Sequence, residues 1–191
     1  MTAIPDFVDA VRRQQRAARH TTSLVLAVNT AAMAALTVVH TRFEWRHQLW
    51  TILLPSVVYL LLWLVVRLRR PLTGMGSSHD GFGLMAVIAL AMVVAVPFAF
   101  AAFFLVGAGT FLGLGLVVVG ARMRERALWV PGLVLMAVCP LVQLDVLENH
   151  ATFLGPQPGT VALTVLTAVL LSLASLAYLR ELATLREPQV P

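Results

Sequence analysis

Carboxylate, amide and imidazole side chains are concentrated in two short stretches of this sequence. The later stretch contains Asp145, Glu148, Asn149 and His150. The earlier stretch contains His40, Glu44 and His47, together with Arg42 and Arg46. If a helix continues through the later stretch, its three- and four-residue spacings place Asp145, Glu148 and Asn149 on one face. We therefore take the acidic, amide and imidazole residues of both stretches as a candidate ligand-binding site.

Three kinds of chemistry are open to these two stretches. Asp145 and Glu148 could pair with the arginines of the earlier stretch and close one end of the molecule, which is the favoured interpretation. Oxygen and nitrogen ligands would suit Zn²⁺ or a similar ion, but no fixed spacing such as His-Glu-x-x-His is present. An organic ligand is the third interpretation. We predict no resident metal and no cofactor.

No catalytic arrangement is recognisable elsewhere in the chain. Gly107-Ala108-Gly109-Thr110 is faintly similar to the Gly-x-Ser-Gly motif of rhomboid proteases, which also have six spans, but it lacks the nucleophilic Ser. The last apolar segment has no His that could activate a nucleophile. We therefore predict no catalytic residues and no enzymatic activity.

The composition is that of an integral membrane protein. Of 191 residues, 59% are hydrophobic and 12% are charged, whereas soluble domains average roughly 45–50% apolar and about 25% charged residues. The lone Cys139 excludes an intramolecular disulfide. The net charge of +5 rests on too few charged residues to track a nucleic-acid backbone.

These polar groups must be held by apolar segments that span the membrane. A spanning helix needs about 20 apolar residues, and on this criterion we predict six spans. They are residues 21–39, 49–66, 84–99, 102–120, 128–147 and 161–179. The run 84–120 would stretch to roughly 55 Å as one helix, so we predict a turn near Pro97–Ala102. A break at Gly107–Gly109 would leave the following span too short. The predicted fold class is an all-α, polytopic bundle of six transmembrane helices.

Arginine positions predict the orientation. All 14 cationic residues are Arg, and only Arg42 and Arg46 fall outside four clusters. These clusters precede the first span, follow the second, separate the fourth from the fifth and follow the sixth. An even number of spans with a cytoplasmic N-terminus places every cluster in the cytoplasm. Residues 1–20 are then a basic amphipathic cytoplasmic segment, and 180–191 a short cytoplasmic tail, in a bacterial inner membrane.

Small residues at four-residue spacing are candidates for helix packing, because they let helices approach closely in lipid. They are Gly109 and Gly113 in the fourth span, and Ala27, Ala31 and Ala35 in the first. Contacts within one bundle are favoured over self-association through the glycine-rich fourth span. Asn29 and Tyr59 are among the few polar groups at mid-span, and hydrogen bonds between helices explain them.

Length, six spans and the Ala-x-x-x-Ala spacing of the first span are similar to those of the substrate-binding subunits of energy-coupling-factor vitamin transporters. The resemblance implies a substrate near the outer loops and a small-residue face that docks a transmembrane partner. Our leading prediction is instead a non-enzymatic inner-membrane protein that acts through a partner protein or a small ligand at its outer face. An outer-facing metal-dependent enzyme is the other alternative.

Overall fold

The computed structural model describes residues 21–42, 48–73 and 105–186, together with six single positions between residues 84 and 94. No strand occurs among these residues. The elements with defined bounds are α1 (Thr21–Arg42), α2 (Gln48–Thr73), α3 (Ala108–Met123), α4 (Arg126–Gln143), α5 (Val146–His150) and α6 (Pro158–Arg186), plus a 3₁₀ turn at Thr152–Leu154. The six single positions are also helical. The predicted all-α class is confirmed, and the helix count matches the predicted six.

Three helices, α1, α4 and α6, are long and apolar enough to cross a membrane, and α3 and Leu53–Leu68 are shorter apolar helices. Large apolar side chains also cover the outside of the bundle. Leu61 on α2, Val134 on α4 and Leu171 on α6 are all exposed. Such a surface is costly in water but matches a hydrocarbon solvent. The chain is therefore built as a helical membrane protein.

Helices α1 and α6 lie side by side in opposite directions. The Glu181 carboxylate accepts hydrogen bonds from the backbone N–H groups of Thr22 and Ser23, at the beginning of α1. Closer to the other end of the pair, the hydroxyl oxygens of Thr37 and Thr167 are 3.4 Å apart. A continuous contact of this length fixes the register between the first and last helices.

Helices α3 and α4 form a hairpin whose backbones approach through glycine. A Cβ added at Gly113 would lie 2.6 Å from the carbonyl oxygen of Gly132, and one added at Gly132 would lie 2.7 Å from that of Gly113. At Gly109 a Cβ would meet the sulfur of Cys139 at 2.5 Å. Two helices can pack this closely only where the side chain is a hydrogen. Gly109 and Gly113, the predicted packing residues, therefore lie at the α3–α4 contact.

The sequence favours contacts within the bundle for Ala27, Ala31 and Ala35, but all three are exposed. Helix α1 instead buries larger side chains, among them Leu26 and Met33. Four-residue spacing of small residues permits close approach, but the larger apolar face fills more of the core and takes the contact.

The bundle has two chemically distinct ends. Gly159 at the beginning of α6 lies against Val142 near the end of α4, so the α3–α4 turn is at the opposite end, level with Glu181. We call that end the arginine end; its described arginine side chains are Arg67, Arg122, Arg124, Arg126, Arg180 and Arg186. The other is the Glu148 end, and it carries Arg42.

The helix boundaries differ from the predicted spans at two places. The fourth predicted span, 102–120, is interrupted at Gly107, whose φ of +78° is open to glycine and strained for other residues. Helix α3 begins after it and has 16 residues, roughly 24 Å. The fifth predicted span, 128–147, ends instead at Gln143. Hydropathy does not detect the break at Gly107, because it lies within apolar sequence, and it does not resolve the bend after Gln143, where polar and apolar residues alternate.

Helix α6 is longer than the predicted sixth span. It begins at Pro158, a residue well suited to the first helical position, and continues to Arg186. The tail predicted from residue 180 is therefore helical over its first seven positions. The basic segment 1–20, the turn near Pro97–Ala102 and the last residues of the tail lie outside the described residues.

Candidate ligand site at the Glu148 end

Three chain segments meet at the Glu148 end: the end of α1, the connection from α4 to α5, and the beginning of α6. The connection bends at Asp145, which adopts a left-handed conformation with φ of 55°. The Asp145 N–H donates to the carbonyl oxygen of Val142 at 3.1 Å. This bend separates α5 from α4, so the continuous helix that would align Asp145 with Glu148 and Asn149 is not formed.

Glu148 ties α5 to α6. Its Oε1 accepts a hydrogen bond from the backbone N–H of Gly159 at 3.2 Å. A Cβ on Gly159 would lie 3.1 Å from that oxygen and 3.5 Å from Nε2 of His40. The carboxylate and the imidazole therefore both lie against Gly159, where a side chain would crowd the carboxylate.

The other polar side chains of this connection point to the surface of the molecule. Asp145, Asn149 and His150 are all exposed. His150 Nδ1 lies 3.1 Å from the carbonyl oxygen of Val146. Because a carbonyl can only accept, Nδ1 carries the proton, and Nε2 retains its lone pair when the ring is neutral.

The structure brings together only part of the predicted set. Glu148 and His40 both lie beside Gly159, whereas no contact joins the exposed side chains of Asp145, Asn149 or His150 to this pair among the described residues. Glu44, Arg46 and His47 lie outside the described residues, so the predicted ion pair with Arg46 is untested. In the part of the chain that the structure describes, no group of three or more His, Cys, Asp or Glu side chains could hold a metal ion.

The sequence reasoning missed two residues beside this cluster. Gly159 donates the hydrogen bond that holds Glu148, and Gln143 packs against Gly107, whose added Cβ would lie 3.2 Å from Oε1 of Gln143. Gly159 lies where α6 begins, and Gly107 lies at the break before α3. A glycine at a helix boundary beside a polar cluster is the one signal that could have found them.

A second polar group lies in the interior, halfway along the bundle. The Tyr59 hydroxyl is 2.6 Å from the carbonyl oxygen of Leu112 and 3.2 Å from Oδ1 of Asn29, while Asn29 Nδ2 donates to Val25. These bonds join α2, α3 and α1. The interhelical hydrogen bonding predicted for Asn29 and Tyr59 is confirmed. Because its groups bond one another, this cluster holds the helices together.

A third polar group, absent from the sequence predictions, lies at the arginine end. Glu181 is only 8% exposed, and its carboxylate also accepts from the Ser23 hydroxyl. A carboxylate suits this position because unpaired N–H groups and the helix dipole make a helix N-terminus positive. No sequence pattern indicated it, since the residue was assigned to a tail after the sixth span.

Comparisons with known proteins do not indicate what binds at the Glu148 end. The chain matches no known protein family, and no curated protein or solved structure is significantly similar to it.

Proposed function

We propose that this chain is a six-span inner-membrane protein with both termini in the cytoplasm, and that it acts through a ligand or partner bound at the Glu148 end. The uneven distribution of arginines supports the orientation. Six described arginine side chains lie at one end and Arg42 alone lies at the other. Clusters of arginine favour the cytoplasmic side of a bacterial membrane. The Glu148 end then faces outward.

The observation that carries the binding proposal is that the Glu148 carboxylate and the His40 imidazole both lie beside Gly159. One carboxylate oxygen is held by Gly159, and among the described residues no hydrogen bond engages the other oxygen or the His40 ring. A preformed anionic group beside an imidazole favours a small polar ligand with hydrogen-bond donors, such as an ammonium group. Asp145 and His150 lie close enough along the chain to contribute at its rim.

Binding without catalysis is the other part of the proposal. The polar groups of the Glu148 end provide charge and hydrogen-bond acceptors, but no described Ser or Cys lies beside His40 or Glu148 to serve as a nucleophile. The groups are therefore better suited to recognising a ligand than to covalent chemistry. A partner protein presenting a basic side chain would use the same acceptors.

Native mass spectrometry of the detergent-purified protein tests the ligand. We expect a co-purifying small molecule that is lost in Glu148→Gln, because the amide can still accept from Gly159 but no longer carries charge. Glu125→Gln is the matched control; it makes the same change at the arginine end of the molecule and should retain the adduct. Absence of any adduct from the unaltered protein, or equal retention in both variants, would contradict ligand binding at this cluster.

The same preparations separate the two alternatives. A vitamin-sized adduct would support a substrate-binding subunit of a transporter. Elemental analysis addresses the metal-dependent enzyme: a stoichiometric metal lost on His150→Ala would favour it, and absence of metal would exclude it for the purified protein.

A further inference from the structure

A groove of about 460 Å³ opens at the arginine end of the α3–α4 hairpin. It is lined by Val117, Ala121, Arg124, Arg126 and Trp129. Its size is that of an ordinary small-molecule site. It lies at the opposite end of the bundle from Glu148, so it is independent of the ligand proposed there.

The tight turn between α3 and α4 fixes the two arginines at the mouth of the groove. Arg124 has a left-handed backbone with φ of 54°, and its N–H donates to Ala121. The next N–H, of Glu125, donates to the carbonyl oxygen of Gly120 at 2.8 Å. Helix α4 then begins directly at Arg126. The backbones of Arg124 and Arg126, with one residue between them, are thereby fixed in a hydrogen-bonded turn, and both side chains line the groove.

The base of the groove is apolar and aromatic. Val117 and Ala121 come from α3, and Trp129 from the first turn of α4. A Cβ on Gly120 would lie 2.5 Å from the backbone nitrogen of Trp129. This close approach fixes the indole beside α3, and tryptophan is enriched at the depth where lipid headgroups meet hydrocarbon.

The charges around the groove favour an anion. Arg124 and Arg126 are exposed, and each guanidinium presents planar donors that match phosphate geometry. The nearest carboxylate along the chain is that of Glu125, which is half-buried and does not line the groove. Arg122, in the last turn of α3, adds positive charge nearby.

We propose that this groove binds an anionic phospholipid. Arg124 and Arg126 contact its phosphate, Trp129 lies at the level of the glycerol, and Val117 and Ala121 contact an acyl chain. A free phosphate would use only the guanidinium groups, whereas a phospholipid uses both the charged mouth and the apolar base. Basic pockets at the cytoplasmic side of membrane helices attract anionic headgroups for the same reason.

Native mass spectrometry of the full chain with added phosphatidylglycerol or phosphatidylcholine tests the proposal. We expect phosphatidylglycerol to bind preferentially, and the double variant Arg124→Gln/Arg126→Gln to bind it about tenfold or more weakly, since each basic residue near an anionic surface contributes about 1 kcal/mol. Arg180→Gln/Arg186→Gln is the matched control: it removes the same charge at the same end, outside the groove. Equal loss in both double variants would contradict a defined site.

A second variant and a competitor complete the test. Ala121→Leu fills the groove without changing charge, and we expect it to weaken phosphatidylglycerol binding while thermal stability is retained. It therefore decides the question even if the arginine variant misfolds. Unchanged lipid binding in Ala121→Leu, or displacement of the lipid by inorganic phosphate, would overturn the assignment to a phospholipid.

Discussion

Hydrogen-bonded side chains in the interior show why particular residue types stand where they do. The Tyr59 hydroxyl reaches the carbonyl oxygen of Leu112 at 2.6 Å because Gly115 has no side chain. A Cβ at Gly115 would lie only 1.9 Å from Cζ of the tyrosine ring. The Tyr59 hydrogen bond on α2 therefore depends on the absence of a side chain at Gly115 on α3.

Removing this hydroxyl should destabilise the protein. Tyr59→Phe keeps the ring but leaves Leu112 and Asn29 without their shared donor. We expect the free energy of unfolding to fall by about 1 kcal/mol, as is common for interhelical hydrogen bonds in membrane proteins. Reversible unfolding in mixed micelles measures it. Ser175→Ala, which removes an exposed hydroxyl that bonds only within its own helix at Leu171, is the control, and an equal effect of both variants would contradict the assignment.

Prediction from sequence was uneven for individual residues. The hydrogen bond between Tyr59 and Asn29 was foreseeable, because a polar side chain in lipid must find a polar partner. The bend at Asp145 was not, since nothing in the local sequence demands a left-handed conformation there. Glu148 consequently meets His40 and Gly159 rather than sharing a helix face with Asp145.

Helix pairs are stabilised by different means at different places. Helices α3 and α4 pack through glycine, whereas α1 and α6 are joined by the Glu181 carboxylate and the Thr37–Thr167 contact. Hydropathy predicted that these helices exist but gave no information about which of them are neighbours. The helix boundary at Gly107 was missed because an apolar run continues across it, and the one at Gln143 because an amphipathic helical pattern continues across the bend at Asp145.

The Glu181 contact gives a testable property of the α1–α6 pair. Glu181→Ala removes the carboxylate that accepts from the Thr22 and Ser23 N–H groups, whereas Glu181→Gln retains one amide oxygen. We expect hydrogen exchange at residues 22–26 to be fastest in the Ala variant, intermediate in Gln and slowest in the unaltered protein. Loss of a helix cap typically costs about 1 kcal/mol, roughly a fivefold faster exchange.

The remaining helices provide the internal control for that experiment. Exchange in α4 should be unchanged in both variants, because the carboxylate accepts its backbone hydrogen bonds from the beginning of α1. If α1 and α4 lose protection together, Glu181 stabilises the whole bundle rather than the first turn of α1. If neither changes, the carboxylate is not a cap.

For the molecule as a whole, the distribution of charge and the exposed apolar surface both favour a bundle that lies in a membrane. Exposed apolar side chains surround the bundle, and arginines gather at one end, as the sequence predicted from their spacing along the chain. What composition could not supply was the identity of the groups that meet at each end. Those depend on the α3–α4 turn and on the bend at Asp145, which are set by local backbone geometry.

Labelling of single cysteines with a membrane-impermeant maleimide tests the proposed orientation most directly. In a Cys139→Ala background, the exposed positions Asn149, Arg122 and Arg186 are each replaced by Cys. In intact spheroplasts we expect Asn149→Cys to be labelled, and Arg122→Cys and Arg186→Cys to be labelled only after permeabilisation. Labelling of Arg186→Cys from outside, or protection of Asn149→Cys, would contradict an outward-facing Glu148 end and cytoplasmic arginines.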